Sequence, residues 1–145
     1  MIKIYFAGSI RSGRGLAGKY REIIDMLKKH GQVFTEHVGD DIAIDRDNVG
    51  LTDREIHDRD LEWIRQSDLM VAEVTIPSLG VGYEIARAID LQKSVLCLVD
   101  RDSAPGLSAM ISGCSDLRII EYASVDEAEI ILKEFIAENQ ESMKA

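Results

Sequence analysis

Short apolar runs alternate along the chain with longer stretches whose apolar residues recur every three or four positions, a pattern that predicts strands and helices in turn. Ile2, Ile4 and Phe6 mark a first strand over residues 3–6, and residues 16–27 repeat apolar side chains at helical spacing until Gly31 stops them. Residues 32–34 predict a second strand. Thr52-Asp53-Arg54-Glu55 has the spacing of a capping box, so a helix is expected from Asp53 to about Ser67. Strands follow at 69–74, 94–99 and 117–122, with a helix over 78–91 and a brief one within 103–113. Ser124-Val125-Asp126-Glu127 opens a closing amphipathic helix through Ile130, Ile131, Phe135 and Ile136, with a polar, frayed tail expected from Glu138.

Parallel strands need a crossover between them, and that crossover is almost always a right-handed helix. The alternation within 145 residues therefore predicts an α/β fold: a doubly wound five-stranded parallel sheet, flavodoxin-like or Rossmann-like, in a single domain spanning residues 1–145. In a sheet ordered 2-1-3-4-5, a crevice opens at the carboxyl ends of the first and third strands, where the winding direction reverses. Two small, donor-rich turns follow those strands. The first lies in Tyr5-Phe6-Ala7-Gly8-Ser9-Ile10-Arg11 and the second in Pro77-Ser78-Leu79-Gly80-Val81-Gly82-Tyr83-Glu84. Gly8, Ser9 and Arg11 would face Ser78 and Gly80, combining close backbone approach, hydroxyl donors and a cationic fork suited to a phosphate. Neither turn has the glycine spacing of a dinucleotide fingerprint or the lysine of a nucleoside-triphosphate loop.

Two carboxylates interrupt apolar faces beside that crevice. Asp60 shares a helical stripe with Ile56, Trp63 and Ser67, and Glu84 shares one with Val81 and Ala88. An ion pair with Arg59, Arg65 or Arg87 would account for Asp60, and favourable placement near a helix start for Glu84. Because both acids flank the crevice, the paired arrangement used in glycoside chemistry is expected, one carboxylate attacking a sugar carbon while the other governs proton traffic.

Among the three histidines, His30 suits a helix end, His57 lies beside Asp58 on an exposed face, and His37 could line the pocket. Their spacing suggests no metal site, and neither a cofactor nor a metal is expected. Cys97 sits inside an apolar run as a reduced, buried thiol, and Cys114 makes no close-spaced metal motif with it. A net charge of −9 argues against a nucleic-acid partner, which would require clustered Lys and Arg. No apolar run approaches the ~18 residues of a membrane span, so a soluble, cytoplasmic protein without membrane association is expected. The acidic segment 39–50 reads as a solvated loop.

Taken in order, Tyr5 with Gly8-Ser9-Ile10-Arg11, Thr35-Glu36-His37-Val38, Ile56-His57 with Asp60-Leu61-Glu62-Trp63, residues 71–75, residues 77–84 and Leu107-Ser108-Ala109-Met110-Ile111 resemble the nucleoside 2-deoxyribosyltransferase family. The resemblance is to its 2'-deoxynucleoside 5'-phosphate N-hydrolase branch and spans nearly the whole chain. It implies that Glu84 is the nucleophile, that Asp60 holds the substrate and helps protonate the departing base, and that Tyr5 sits beside them. It also implies a phosphate site from Gly8, Ser9, Ile10 and Arg11 with Ser78 and Gly80, His37 in the pocket, and a homodimer in which Ser108, with Met110 near it, completes the neighbouring site. The expected substrate is a small deoxynucleoside monophosphate. A 2-deoxyribosyltransferase and a non-catalytic nucleotide-binding module are the alternatives.

Overall fold

The computed structural model describes residues 1–9, 17–34, 50–102 and 106–144. Along them run β1 (Ile2–Gly8), α1 (Ala17–Lys28), β2 (Gly31–Phe34), α2 (Asp53–Gln66), β3 (Leu69–Glu73), α3 (Leu79–Asp90), β4 (Ser94–Asp100), α4 (Ala109–Ser112), β5 (Arg118–Tyr122) and α5 (Val125–Lys144). The strands form one parallel sheet in the order β2-β1-β3-β4-β5, the doubly wound arrangement expected from the alternation.

Strand side chains point to opposite faces in turn, and this sheet buries both. Ile4 and Phe6 of β1, Val71 of β3 and Leu96 and Leu98 of β4 pack against Tyr20, Ile23 and Leu27 of α1 and Leu132 and Phe135 of α5. Tyr5, Ala7, Met70, Ala72, Val95 and Cys97 face the other way, onto Leu61 and Ile64 of α2 and Val81, Ile85 and Ala88 of α3. Every residue of the central strand β3 is buried, Glu73 included.

Local signals set the element ends. Thr52 Oγ1 accepts from Glu55 N at 3.1 Å while Glu55 Oε2 accepts from Thr52 N at 3.2 Å, the reciprocal capping expected at the start of α2. Gly31 both ends the α1 connection and lets β2 begin against β1: a Cβ there would lie 2.2 Å from Ile2 O. The expectation of a frayed tail from Glu138 does not hold, because α5 continues to Lys144. Nothing in that polar stretch breaks a helix, Asn139 Nδ2 donates to Phe135 O at 2.8 Å, and Arg118 pairs with Glu138 at 2.7 Å. Among the described residues, no helix is long and apolar enough to cross a membrane.

Candidate active site

Tyr5 projects from β1 onto the α2–α3 face and is buried, while Glu84 lies in the second turn of α3 and Asp60 in the second turn of α2. The three meet. The Tyr5 hydroxyl hydrogen-bonds the Glu84 carboxylate, and both acids act electrostatically on Tyr5. Burial, then the charges of Glu84 and Asp60, hold the Tyr5 hydroxyl far above the ordinary tyrosine range, so it serves as a hydrogen-bond donor and not as an acid. Glu84 is pushed up from 4.5 to about 7, chiefly by burial, with the Tyr5 hydrogen bond pulling it down and the charge of Asp60 pushing it up. A carboxylate so raised is more basic than an ordinary glutamate, yet a large fraction is ionised near neutral pH.

Ser78 forms the N-cap of α3, its Oγ accepting from Val81 N at 3.3 Å. Gly80 connects this cap to the acid: a methyl group built there would lie 3.9 Å from Ser78 Oγ and 4.0 Å from Glu84 Oε1. Across the crevice, Gly8 pairs in register with Glu73, and its bare α-carbon lets the Tyr20 ring approach, since a Cβ would meet Tyr20 Cε2 at 2.9 Å. Ser9 follows it, buried, with an Oγ that has no hydrogen-bond partner among the described residues. Ile10, Arg11 and His37 lie outside the described residues.

Ser108 and Met110 lie elsewhere. Ser108 caps the short α4, accepting from Met110 N at 3.2 Å, and both line a largely apolar cavity of about 710 Å³ on the outer flank of α3. Ser78 reaches that cavity's wall, whereas Tyr5, Asp60 and Glu84 do not. Leu79 and Met110 stand 97% and 83% exposed at it. His57 is set apart as well, bonding Asp58 at 2.9 Å and the Tyr83 hydroxyl at 2.8 Å on the exposed surface.

Two arrangements escaped the sequence reading. Glu73 is fully buried on the α1 side of the sheet, where Oε1 accepts from Thr75 N at 2.7 Å and Oε2 accepts from the Tyr122 hydroxyl. Thr75 Oγ1 in turn accepts from Asp100 N at 2.8 Å, and Asp100 pairs with Lys19 of α1. This network fastens the segment leading to Ser78; the signal was a lone acid in the apolar run of β3. Arg59 is the other omission as a site residue. The ion pair anticipated for Asp60 exists, with Arg59 Nη2 2.9 Å and Nε 3.0 Å from Asp60 Oδ1. Asp60 therefore keeps a counter-ion while its charge acts on Tyr5 and Glu84. No group of three His, Cys, Asp or Glu among the described residues could hold a metal ion.

A sequence model described as Nucleoside 2-deoxyribosyltransferase matches residues 4–132, nearly the whole of the sheet and its helices. The chain belongs to that family. Within it, the chain is 47% identical over 139 residues to the 5-hydroxymethyl-dUMP N-hydrolase of Tetraodon nigroviridis, an alignment covering 94% of this chain and 98% of that protein. It is 44% identical over 128 residues to the 5-hydroxymethyl-dUMP N-hydrolase of Homo sapiens, covering 88% of this chain and 74% of that one. Among solved structures, the Clostridium botulinum CMP N-glycosidase BcmB superposes with a TM-score of 0.66 at 21% identity, covering 92% of this chain and 98% of that chain, a likeness of fold.

Proposed function

We propose that this member of the family cleaves the N-glycosidic bond of 2'-deoxynucleoside 5'-monophosphates, releasing the free base and 2-deoxyribose 5-phosphate. The observation that carries the reading is the meeting of Tyr5, Glu84 and Asp60, with Glu84 raised to about 7. Family relatives named for hydrolysis of a deoxynucleoside monophosphate support the substrate class.

In this mechanism the ionised Glu84 carboxylate attacks the anomeric carbon as the bond to the base nitrogen breaks, and that electron pair leaves with the base. Asp60 relays to the departing base a proton taken up from solvent. Water then attacks the anomeric carbon of the glycosyl ester, the carbon–oxygen bond to Glu84 breaks, and the carboxylate is regenerated as the water's proton departs through Asp60. Tyr5 keeps one Glu84 oxygen oriented throughout and crowds the sugar, which favours 2-deoxyribose over ribose.

The phosphate is read as held by Ser9 with Gly8, Ile10 and Arg11 on one side and by Ser78 and Gly80 on the other. The orphan Ser9 hydroxyl supports this, because a buried hydroxyl gains by meeting an acceptor. His37 is assigned to the same pocket. Ser108 and Met110 are assigned to the site of a second copy of the chain, and the exposed Leu79 and Met110 at an apolar cavity support a homodimer through that flank. The family's other activity, transfer of the sugar to a second base, uses the same covalent intermediate. A panel of deoxynucleoside and ribonucleoside monophosphates, assayed for free base with and without adenine as acceptor, tests the reading. Base release from deoxynucleotides without an acceptor supports hydrolysis; release only with an acceptor makes the chain a transferase, and release from neither refutes both.

A further inference from the structure

Neighbouring residues on a helix do not face each other, so Arg59 and Asp60 are not paired by helix geometry alone. A third residue lies against the guanidinium. Trp63 lies one turn on from Arg59, and the guanidinium rests over its ring 4.6 Å from the centroid. From that seat both Nε and Nη2 converge on one carboxylate oxygen, Oδ1, at 3.0 and 2.9 Å. Asp60 Oδ2 has no hydrogen-bond partner among the described residues.

The seat is itself anchored. Trp63 stacks on Phe34 at 6.1 Å and 12°, and Phe34 is the register partner of Tyr5, whose hydroxyl holds Glu84. A continuous stack thus runs from the sheet beside Tyr5 through Phe34 and Trp63 to Arg59, and ends on Asp60.

We propose that Arg59, seated on Trp63, is a positioning residue that fixes the rotation of the Asp60 carboxylate and reserves Oδ2 for the departing base. The proposal rests on the reading of Asp60 given above. Asp60 and Arg59 keep 24% and 22% of their side-chain surface exposed, so the pair is partly buried and its loss carries a structural cost that has to be separated from a catalytic one. A carboxylate free to rotate away from its proton path, by contrast, slows chemistry without greatly changing how substrate binds.

Base release by wild type, Arg59→Gln, Arg59→Lys, Asp60→Asn and the double variant provides the test. Arg59→Gln is expected to lower kcat by about 10- to 100-fold with KM changed by no more than roughly threefold. Any fall in its melting temperature is separated from the rate effect by the Asp60→Asn background, in which the ion pair is already gone. Arg59→Lys, which keeps the charge and loses the fork, should recover part of the rate. In the Asp60→Asn background, Arg59→Gln should cost less than about twofold, because its route to the reaction is already gone. Equal cost in both backgrounds, or a wild-type kcat for Arg59→Gln beside a crippled Asp60→Asn, overturns the positioning role and leaves the site reading intact. A wild-type kcat for Asp60→Asn overturns the site reading and the positioning role together.

Discussion

The hydroxyl of Tyr5, fully enclosed beneath α2 and α3, is hydrogen-bonded to the carboxylate of Glu84 and, among the described residues, lowers the proton affinity of that acid against the pull of burial. The two residues come from distant parts of the chain. They meet because β1 lies next to β3 in the sheet, and α3 returns from β3 across the face that Tyr5 occupies.

Loss of that hydrogen bond has a signed consequence. In Tyr5→Phe, Glu84 is no longer held down and should titrate above about 7, so the acid limb of the kcat/KM profile should move to higher pH. The rate deficit should be larger at pH 6 than at pH 9. An unshifted limb would mean that Glu84 is not the group that must ionise.

The same acid links stability to pH. Unfolded, Glu84 titrates near 4.5; folded, near 7, so between those values the folded state holds a proton that the unfolded state has released. Stability from this group is complete below about 4.5, declines as pH rises through about 7, and is then lost by roughly 3 kcal/mol at most. Glu84→Gln, which stays neutral, should match wild type in urea denaturation near pH 4.5 and be more stable at pH 8. A difference that does not change with pH would contradict the burial of this carboxyl.

Two glycines separate close approach from mere flexibility. Gly31→Ala drives a methyl into Ile2 O at the β1–β2 junction and should destabilise by about 1–3 kcal/mol, whereas Gly18→Ala in α1 meets nothing within 4 Å and should gain about 0.4–1 kcal/mol. Thermal melting of the two variants checks both signs at once.

Subunit exchange tests whether the site is shared between two copies. If Ser108 serves a neighbour, chains carrying Ser108→Ala and chains carrying Glu84→Gln should each be poorly active alone, and their mixture should regain activity, because a mixed dimer contains one site with both residues intact. Mixing without recovery would place Ser108 outside the partner's site.

Much of this architecture was legible because local and long-range signals agree. The apolar runs and the Thr52 and Ser124 caps marked the elements, and the switch point of a doubly wound sheet located the crevice before any contact was known. Asp60 and Glu84 stood out as polar residues on apolar stripes, and they do converge. Glu73 carries no such signal in the sequence, because one acid in an apolar strand is explained only by Thr75 and Tyr122, which satisfy its oxygens in the fold. The sequence does not single Arg59 out from Arg65 and Arg87 as the partner of Asp60, because its seat on Trp63 is a tertiary fact. The end of α5 departs from expectation for a different reason: the polarity that predicts fraying is compatible with a solvated helix, which needs only good formers and an anchor such as Arg118.

The central claim is that Glu84 bonds covalently to the sugar. Rapid acid quenching of the enzyme during turnover of a deoxynucleoside monophosphate, followed by peptide mass mapping, measures this directly. The expected result is a 2-deoxyribose 5-phosphate adduct on the peptide containing Glu84, absent in Glu84→Gln, which should also release no base above background. Full base release by Glu84→Gln, or an adduct on any other residue, would contradict the account.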